Sequence, residues 1–162
     1  MIICKTPFRI SFFGGGTDYP AWYLQNGGCV ISTTIDKYCY VIIKNLIDIQ
    51  KFSYKIRYYK NEETKKISEI SHPTIRECLL YEKIKEPLEV IYFADLPARA
   101  GLGSSSSFTV GMLYALRALK MKKINKTKIL YDAIKIEQEI LNESVGSQDQ
   151  AAAVFGGFNI IK

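Results

Sequence analysis

A run of small residues at a predicted strand-to-helix corner constrains the fold of this chain most strongly. Gly101-Leu-Gly-Ser-Ser-Ser-Ser107 follows the apolar, β-branched stretch 88–94. Beyond it, Val110, Leu113 and Leu116 recur at helical spacing. We therefore predict a strand over 88–94 and a helix over 104–119, joined by a corner built from glycine and serine.

Such a corner is suited to binding an anion. A helix begins with backbone N–H groups that lack partners, and its N-terminus carries partial positive charge. Glycine lets the backbone approach a phosphate, and serine adds small hydroxyl donors. We predict that residues 101–107 hold a polyphosphate, although a plain helix cap, which needs only one serine, is the alternative.

Two familiar phosphate-binding loops are excluded by the residues present. The corner lacks the Gly-Lys-Ser/Thr sequence of a Walker A loop. It also departs from the dinucleotide fingerprint, because Ser106 occupies the third glycine position and lysines stand where an acidic residue is expected about 20 residues later. The predicted site is therefore of another type.

Composition indicates one soluble globular domain with anionic small-molecule ligands. The chain has 162 residues, of which 48% are hydrophobic and 23% charged, as in a protein that folds around a core. The net charge of +6 suits anionic ligands. Lysines concentrate at 120–128, but no aromatic residues interleave them, so we expect a solvated connection and no nucleic-acid partner.

Cysteine, histidine and hydropathy patterns narrow the protein class further. The cysteines form no C-x-x-C pair, so we interpret them as reduced core thiols of a cytoplasmic protein: Cys4, Cys29, Cys39 and Cys78. No apolar run approaches the roughly 18 residues of a membrane span, and no leader sequence is evident, so we expect neither export nor membrane insertion. His72 is the only histidine and is interpreted as a helix-start residue, which argues against a Ser-His-Asp triad.

The remaining patterns predict an α+β fold, with a mixed β-sheet packed against helices. Residues 62–71 are predicted to form a charged loop. Strands are predicted at 8–13, 29–35, 38–46, 52–59, 88–94 and 158–161, and helices at 17–25, 74–85, 104–119, 126–141 and 149–154.

At the corner the sequence resembles the GHMP kinases (galacto-, homoserine, mevalonate and phosphomevalonate kinases). Pro97-Ala-Arg-Ala-Gly-Leu-Gly-Ser-Ser105 matches every fixed position of the family motif P-x-x-x-G-L-[GS]-S-S. Pro7-Phe-Arg-Ile-Ser-Phe-Phe-Gly-Gly-Gly-Thr-Asp-Tyr19 is similar to the galactokinase-type first motif, with Gly15-Gly16 replacing Glu-His. Two segments resemble the sequences of the branch that phosphorylates D-glycero-D-manno-heptose 7-phosphate at C1. They are the segment with this replacement and Val145-Gly-Ser-Gln-Asp-Gln150 with its downstream Phe-Gly-Gly.

The resemblance covers nearly the whole chain and implies a fold similar to domain 2 of ribosomal protein S5, with a left-handed β-α-β unit. It implies an ATP-dependent sugar kinase that transfers the γ-phosphoryl group to the anomeric C1 hydroxyl, in nucleotide-heptose and surface-polysaccharide synthesis. The implied cofactors are ATP and Mg²⁺, and the implied partner is a sugar phosphate, with neither nucleic acid nor membrane.

Residue roles follow from the matched motifs. The implied catalytic residues are Asp149 and Arg9. Asp149 orients or deprotonates the acceptor hydroxyl, and Arg9 stabilises Asp149 and the charge that develops. The implied magnesium ligands are Ser105 and Glu137. The implied ATP-binding residues are Pro97, Gly101, Leu102, Gly103, Ser104, Ser105, Ser106 and Ser107. The implied sugar-binding residues are Gly14, Gly15, Gly16, Thr17, Asp18 and Tyr19.

Each charged assignment has a simpler alternative. Glu137 could be a surface acid on a helix, and Asp149 could cap the helix that it begins. Arg9 could form a purely structural salt bridge, since an unpaired charge in an apolar strand is costly. Asp18 could cap the helix that starts near Tyr19.

The family comparison also predicts a domain organisation. Members run to about twice this length and carry a third, glycine-rich motif that is absent here, so we expect residues 1–162 to form the N-terminal, ATP-binding domain without the C-terminal domain. An apolar face left bare could support a homo-oligomer. The other functions considered are a fucose- or galactose-type kinase, a non-catalytic nucleotide or sugar-phosphate module, and an RNA-binding domain.

Overall fold

The computed structural model describes residues 1–47, 51–97 and 100–162, so Ala98 and Arg99 of the serine-glycine motif lie outside the described residues. The strands are β1 (Ile2–Phe13), β2 (Val30–Asn45), β3 (Tyr54–Arg57), β4 (Asn61–Thr64), β5 (Leu88–Ala94) and β6 (Phe158–Ile161). The α-helices are α1 (Pro20–Asn26), α2 (Pro73–Tyr81), α3 (Ser104–Leu119), α4 (Lys126–Lys135) and α5 (Gln148–Phe155). Short 3-10 turns cover Gly15–Asp18 and Ile67–Glu69, and a π-helical turn covers Ile136–Ile140.

The strands form one mixed sheet in the order β1-β2-β5-β3-β4, with β6 also paired to β2. All pairs are antiparallel except β3 with β5. The pairing of β1 with β2 is irregular between Pro7 and Arg9, and such irregularities re-aim side chains. Arg9 lies at this point, and its side chain reaches the Gly101 carbonyl of the serine-glycine corner.

The core lies between this sheet and the helices, with α3 at its centre. Strand β2 presents Cys39, Val41 and Ile43, none of which is exposed to solvent. Helix α3 packs closely on the sheet at Gly111, where an added Cβ would lie 3.1 Å from Thr6 Oγ1 and 3.2 Å from Val41 Cγ2. The start of α3 is therefore fixed relative to β1 and β2.

The predicted α+β class is confirmed, but several elements differ from prediction. Strand β1 begins at Ile2 and not at residue 8, β3 covers only Tyr54–Arg57 of the predicted strand 52–59, and α2 ends at Tyr81 and not at residue 85. The strands predicted at 29–35 and 38–46 form the single strand β2. Strand β1 pairs with both halves of β2, so the backbone stays extended across Asp36 and Lys37. The predicted loop 62–71 contains most of β4 and a 3-10 turn. Charged residues suit an edge strand, and Glu63 pairs with Lys55 of β3 at 2.7 Å.

Two smaller expectations also differ in part, and one is confirmed. The predicted helix 126–141 is α-helical only to Lys135 and continues as the π-helical turn. The predicted core cysteine Cys29 is exposed, whereas Cys39 and Cys78 are buried. His72 is the N-cap residue of α2, as predicted. In the described residues no helix is long and apolar enough to cross a membrane.

Candidate functional site

Helix α3 begins with an uncapped N-terminus. Its N-cap residue is Gly103, in the left-handed conformation with φ 73° and ψ 28°, and no side chain caps it. The backbone N–H of Ser107 is the donor that bonds back to the Gly103 carbonyl, at 3.0 Å. The amides of Ser104, Ser105 and Ser106 precede this bond and lack an acceptor within the helix, so they are available to an anion.

The four serines divide into two functional pairs. Ser107 donates its hydroxyl to the Pro7 carbonyl at 2.7 Å, and Ser106 donates to Glu137 Oε2 at 2.7 Å. These two side chains attach α3 to β1 and to the π-helical turn. Ser105 is exposed and Ser104 partly exposed. Of the four predicted ATP-binding serines, Ser104 and Ser105 therefore have hydroxyls that are available to a ligand. The side chains of Ser106 and Ser107 are structural.

Arg9 connects the corner to the predicted catalytic acid. Its Nε and Nη2 lie 2.7 Å and 2.6 Å from Asp149 Oδ1. Its Nη1 donates to the Gly101 carbonyl at 2.8 Å, and its backbone N–H donates to the Leu102 carbonyl at 3.1 Å. Arg9 thus joins the carbonyls of Gly101 and Leu102 to the start of α5. The two predicted catalytic residues, Arg9 and Asp149, are in direct contact.

Asp149 has one oxygen held and one oxygen free. Oδ1 accepts both bonds from Arg9, and Oδ2 has no hydrogen-bond partner among the residues that the structure describes. A Cβ on Gly103 would lie 3.3 Å from Oδ2, so this free oxygen faces the corner. Burial raises the pKa of the Asp149 carboxyl, against the lowering effect of the Arg9 guanidinium. Ser147 is the N-cap residue of α5, so Asp149 is not the helix cap.

Asp18 has a different environment from the one its predicted sugar contact requires. It is 5% exposed and accepts hydrogen bonds from Ser147 N at 2.9 Å, Ser147 Oγ at 3.0 Å and Gln148 N at 3.0 Å. Both carboxylate oxygens are engaged. An added Cβ on Gly146 would lie 1.9 Å from Asp18 Oδ2, so only glycine fits there. Asp18 therefore anchors the first turn of α5 through Ser147, which is two residues before Asp149 in the sequence.

The other predicted sugar-binding residues lie beside the corner. Gly14 has φ 81°, and an added Cβ would lie 1.8 Å from the Cys29 carbonyl oxygen, so this turn requires glycine. Thr17 is structural, since its hydroxyl donates to Gly14 O at 2.8 Å and accepts from Cys29 N at 3.1 Å. A cleft of about 520 Å³, large enough for a small ligand, lies between the segment 9–19 and the glycines of the corner. It is lined by Arg9, Ile10, Ser11, Gly15, Gly16, Tyr19, Gly101, Leu102 and Gln148.

Glu137 is buried, contrary to the surface-acid alternative. It has no solvent exposure, and Ser106 at 2.7 Å, Thr109 at 2.5 Å and Gln150 donate to its carboxylate. Burial raises the pKa of Glu137, and these donors oppose that rise. The sequence analysis gave no role to Thr109 or Gln150, although Thr109 is one helical turn from Ser105, a spacing that could have revealed it.

The residues present do not fit a magnesium ion held directly by Glu137. Both of its oxygens already accept hydrogen bonds, and its serine partner is Ser106, whereas Ser105 is exposed. The described residues contain no group of three or more His, Cys, Asp or Glu side chains that could hold a metal ion. The assignment of Ser105 stays a prediction. So does that of Pro97, which is exposed and separated from Gly101 by residues outside the described part.

Known proteins resemble this chain over most of its length. The model of the GHMP kinase N-terminal domain matches residues 72–157, which is more than half of the chain. A D-glycero-alpha-D-manno-heptose 7-phosphate kinase of Campylobacter jejuni is 29% identical over 98% of this chain and 49% of its own length. A galactokinase of Pyrococcus furiosus is 29% identical over 96% of this chain and 44% of its own length. The chain thus spans about half the length of these relatives.

Structure comparison gives the same assignment. A D-glycero-D-manno-heptose 1-phosphate kinase from Bacteroides thetaiotaomicron has a TM-score of 0.88 and 26% identity, covering 99% of this chain and 55% of that one. The predicted similarity to domain 2 of ribosomal protein S5, the fold of these kinases, is confirmed. The chain belongs to the GHMP kinase family, with residues 72–157 matching the N-terminal domain of that family.

Proposed function

We propose that this chain is the nucleotide-binding, N-terminal part of an ATP-dependent sugar kinase. The proposed reaction transfers the γ-phosphoryl group of ATP to the C1 hydroxyl of D-glycero-D-manno-heptose 7-phosphate, for nucleotide-heptose and surface-polysaccharide synthesis in the cytoplasm. The observation that carries the proposal is the Arg9–Asp149 pair beside Gly103, because it puts a free carboxylate oxygen at an uncapped helix N-terminus.

The proposed phosphate site is the first turn of α3. The free amides of Ser104 and Ser105 and the exposed Ser105 hydroxyl are donors for phosphate oxygens. Gly101 has φ 71°, and no atom of the described residues lies within 4 Å of an added Cβ, so this part of the loop leaves space for a ligand. These features suit the triphosphate, which must be held in line with the acceptor.

The proposed chemistry uses both oxygens of Asp149. Arg9 holds Oδ1 and fixes the carboxylate, while Oδ2 accepts the proton of the attacking hydroxyl. The sugar oxygen forms a bond to the γ-phosphorus as the bond to the β,γ-bridging oxygen breaks, and ADP leaves. A positioned base of this kind contributes roughly 10² to 10⁴ in rate. Arg9 also offers positive charge beside the transferred group.

The identity of the sugar rests on the relatives and on Gly15 and Gly16. The heptose 7-phosphate kinase of Campylobacter jejuni favours a heptose phosphate, whereas the archaeal galactokinase keeps a galactose-type substrate as the second candidate. Gly16 has no neighbouring atom within 4 Å of an added Cβ, and Gly15 has only the tips of Gln148 and Ser11. The side of the cleft at Gly15 and Gly16 is therefore not filled by side chains of the described residues, which leaves room for a sugar acceptor.

The test is ADP release by the full chain with ATP, Mg²⁺ and a panel of heptose 7-phosphate, galactose and fucose. We expect turnover with heptose 7-phosphate, and its loss in Asp149→Asn. Asp36→Asn is the matched control, since Asp36 is exposed and has no assigned role. Binding of ATP without turnover on any sugar would favour the non-catalytic module and contradict the proposal for this chain.

A further inference from the structure

A second cavity lies at the opposite end of α3 from the serine-glycine corner. Its volume is about 680 Å³, within the range of small-molecule sites. Helix α3 has 16 residues, so its two ends are separated by about 24 Å. The cavity is lined by Leu80, Tyr81, Glu82, Lys83, Arg117, Lys120, Lys122, Lys123, Asn125, Lys128 and Asp132.

The lining carries six cationic side chains and two carboxylates, and the carboxylates are already engaged. Glu82 accepts from Arg117 Nε at 2.7 Å and from Lys122 at 2.8 Å, and Asp132 accepts from Arg117 Nη2. Lys83, Lys123 and Lys128 form no ion pair within the described ranges. The cavity therefore keeps an excess of positive charge that its own acids do not neutralise.

Arg117 forms the buried floor of this cavity. Its side chain is 7% exposed, and its hydrogen bonds to Glu82 and Asp132 use Nε and Nη2. Nη1 has no hydrogen-bond partner in the part of the chain that the structure describes. Nη1 is not among the buried side-chain atoms that lack a partner, so it keeps access to the cavity, and guanidinium groups suit phosphate oxygens.

Two further hydrogen bonds connect the elements that form the floor. Tyr81 donates its hydroxyl to Asp132 Oδ1 at 2.8 Å, and Lys120 donates to the Glu82 backbone carbonyl at 2.7 Å. These contacts join α2, α3 and α4 beneath the cavity. Arg117, Lys120 and Lys122 are thus held in place before any ligand arrives, which lowers the ordering cost of binding.

We propose that this cavity binds a small molecule with two or more phosphate groups, at a site separate from the serine-glycine corner. Two or more phosphates supply the negative charge that matches the unpaired lysines and Arg117 Nη1. A concave site of this volume favours a small anion over a nucleic acid, which needs an extended surface with stacking aromatics. Tyr81 is the one aromatic residue in the lining, and its hydroxyl is engaged.

The test is a titration of the full, ¹⁵N-labelled chain with inorganic tripolyphosphate, followed by NMR at single amides. We expect saturable shifts at Lys123, Asn125 and Lys128. Under the proposed function the serine-glycine corner binds tripolyphosphate as well. The corner amides and the cavity amides report binding at their own sites, so the result for the cavity is independent of the result for the corner. In Lys123→Gln/Lys128→Gln, we expect the cavity affinity to fall about tenfold or more while the corner affinity is unchanged.

The matched control is Lys37→Gln/Lys65→Gln, which removes the same charge at exposed positions outside the cavity lining and must leave the cavity shifts intact. Absence of saturable shifts at the cavity amides overturns the proposal. Equal shifts with sodium sulfate at the same ionic strength overturn it too, because they show general screening. Tighter binding of a single-stranded RNA than of tripolyphosphate at these amides would assign another ligand class and equally overturn it.

Discussion

Gly146→Ala tests how α5, the helix that carries Asp149, is held. The added Cβ would lie 1.9 Å from Asp18 Oδ2 and 3.0 Å from the Asp18 backbone oxygen, so the buried carboxylate must move. Asp18 then loses bonds from Ser147 and Gln148 that begin α5. Hydrogen bonds to charged groups contribute about 1.5 to 3 kcal/mol each, so we expect a loss of about 3 kcal/mol in the free energy of unfolding.

The assay is urea denaturation, supported by thermal melting. For a chain of this size, 1 kcal/mol corresponds to about 2 to 4 °C, so the expected fall in Tm is about 6 to 12 °C. Gly16→Ala is the matched control, because no atom lies within 4 Å of its added Cβ, and its stability should change by less than about 0.5 kcal/mol. If both variants unfold at the same urea concentration, Asp18 does not anchor α5 and the reasoning is refuted.

Three further predictions address the corner, the buried acid and the charged floor. Gly103→Ala adds a Cβ 3.3 Å from Asp149 at φ 73°, so kcat should fall at least about tenfold, and an unchanged kcat in steady-state assays would contradict this. Burial raises the pKa of Glu137, so the folded chain retains a proton that the unfolded chain has released. The free energy of unfolding should therefore decline as pH rises from the ordinary carboxyl pKa to the raised one, and Glu137→Gln should lack this decline in denaturation series across pH. Arg117→Met leaves the buried Glu82 with Lys122 as its remaining side-chain cation, and should lower the free energy of unfolding by about 3 kcal/mol, measured in urea.

Local sequence signals predicted the elements around the site well. The bounds 104–119 and 88–94 agree with α3 and β5, because Gly103 in the left-handed region marks the helix start and the apolar run marks a buried strand. The convergence of Arg9 and Asp149 was expected from matched motifs alone. Their separation of 140 residues leaves no local signal for the contact itself.

The parts that sequence patterns missed depend on distant contacts. Asp18 was expected to contact the sugar or cap a nearby helix, but it holds Ser147, 129 residues away. Ser106 and Ser107 look identical to Ser104 and Ser105 in the sequence, and only the packing of α3 on β1 and on the π-helical turn separates them. Helix 126–141 changes to a π-helical turn at Ile136, and in this turn Glu137 is buried against Ser106 and Thr109.

A crystal structure of this chain with a non-hydrolysable ATP analogue and Mg²⁺ tests the central claim most directly. We expect phosphate oxygens within hydrogen-bond distance of the Ser104 and Ser105 backbone nitrogens, with the terminal phosphate next to Arg9 and the free oxygen of Asp149. A nucleotide bound away from the first turn of α3, or a terminal phosphate remote from Asp149, would contradict it.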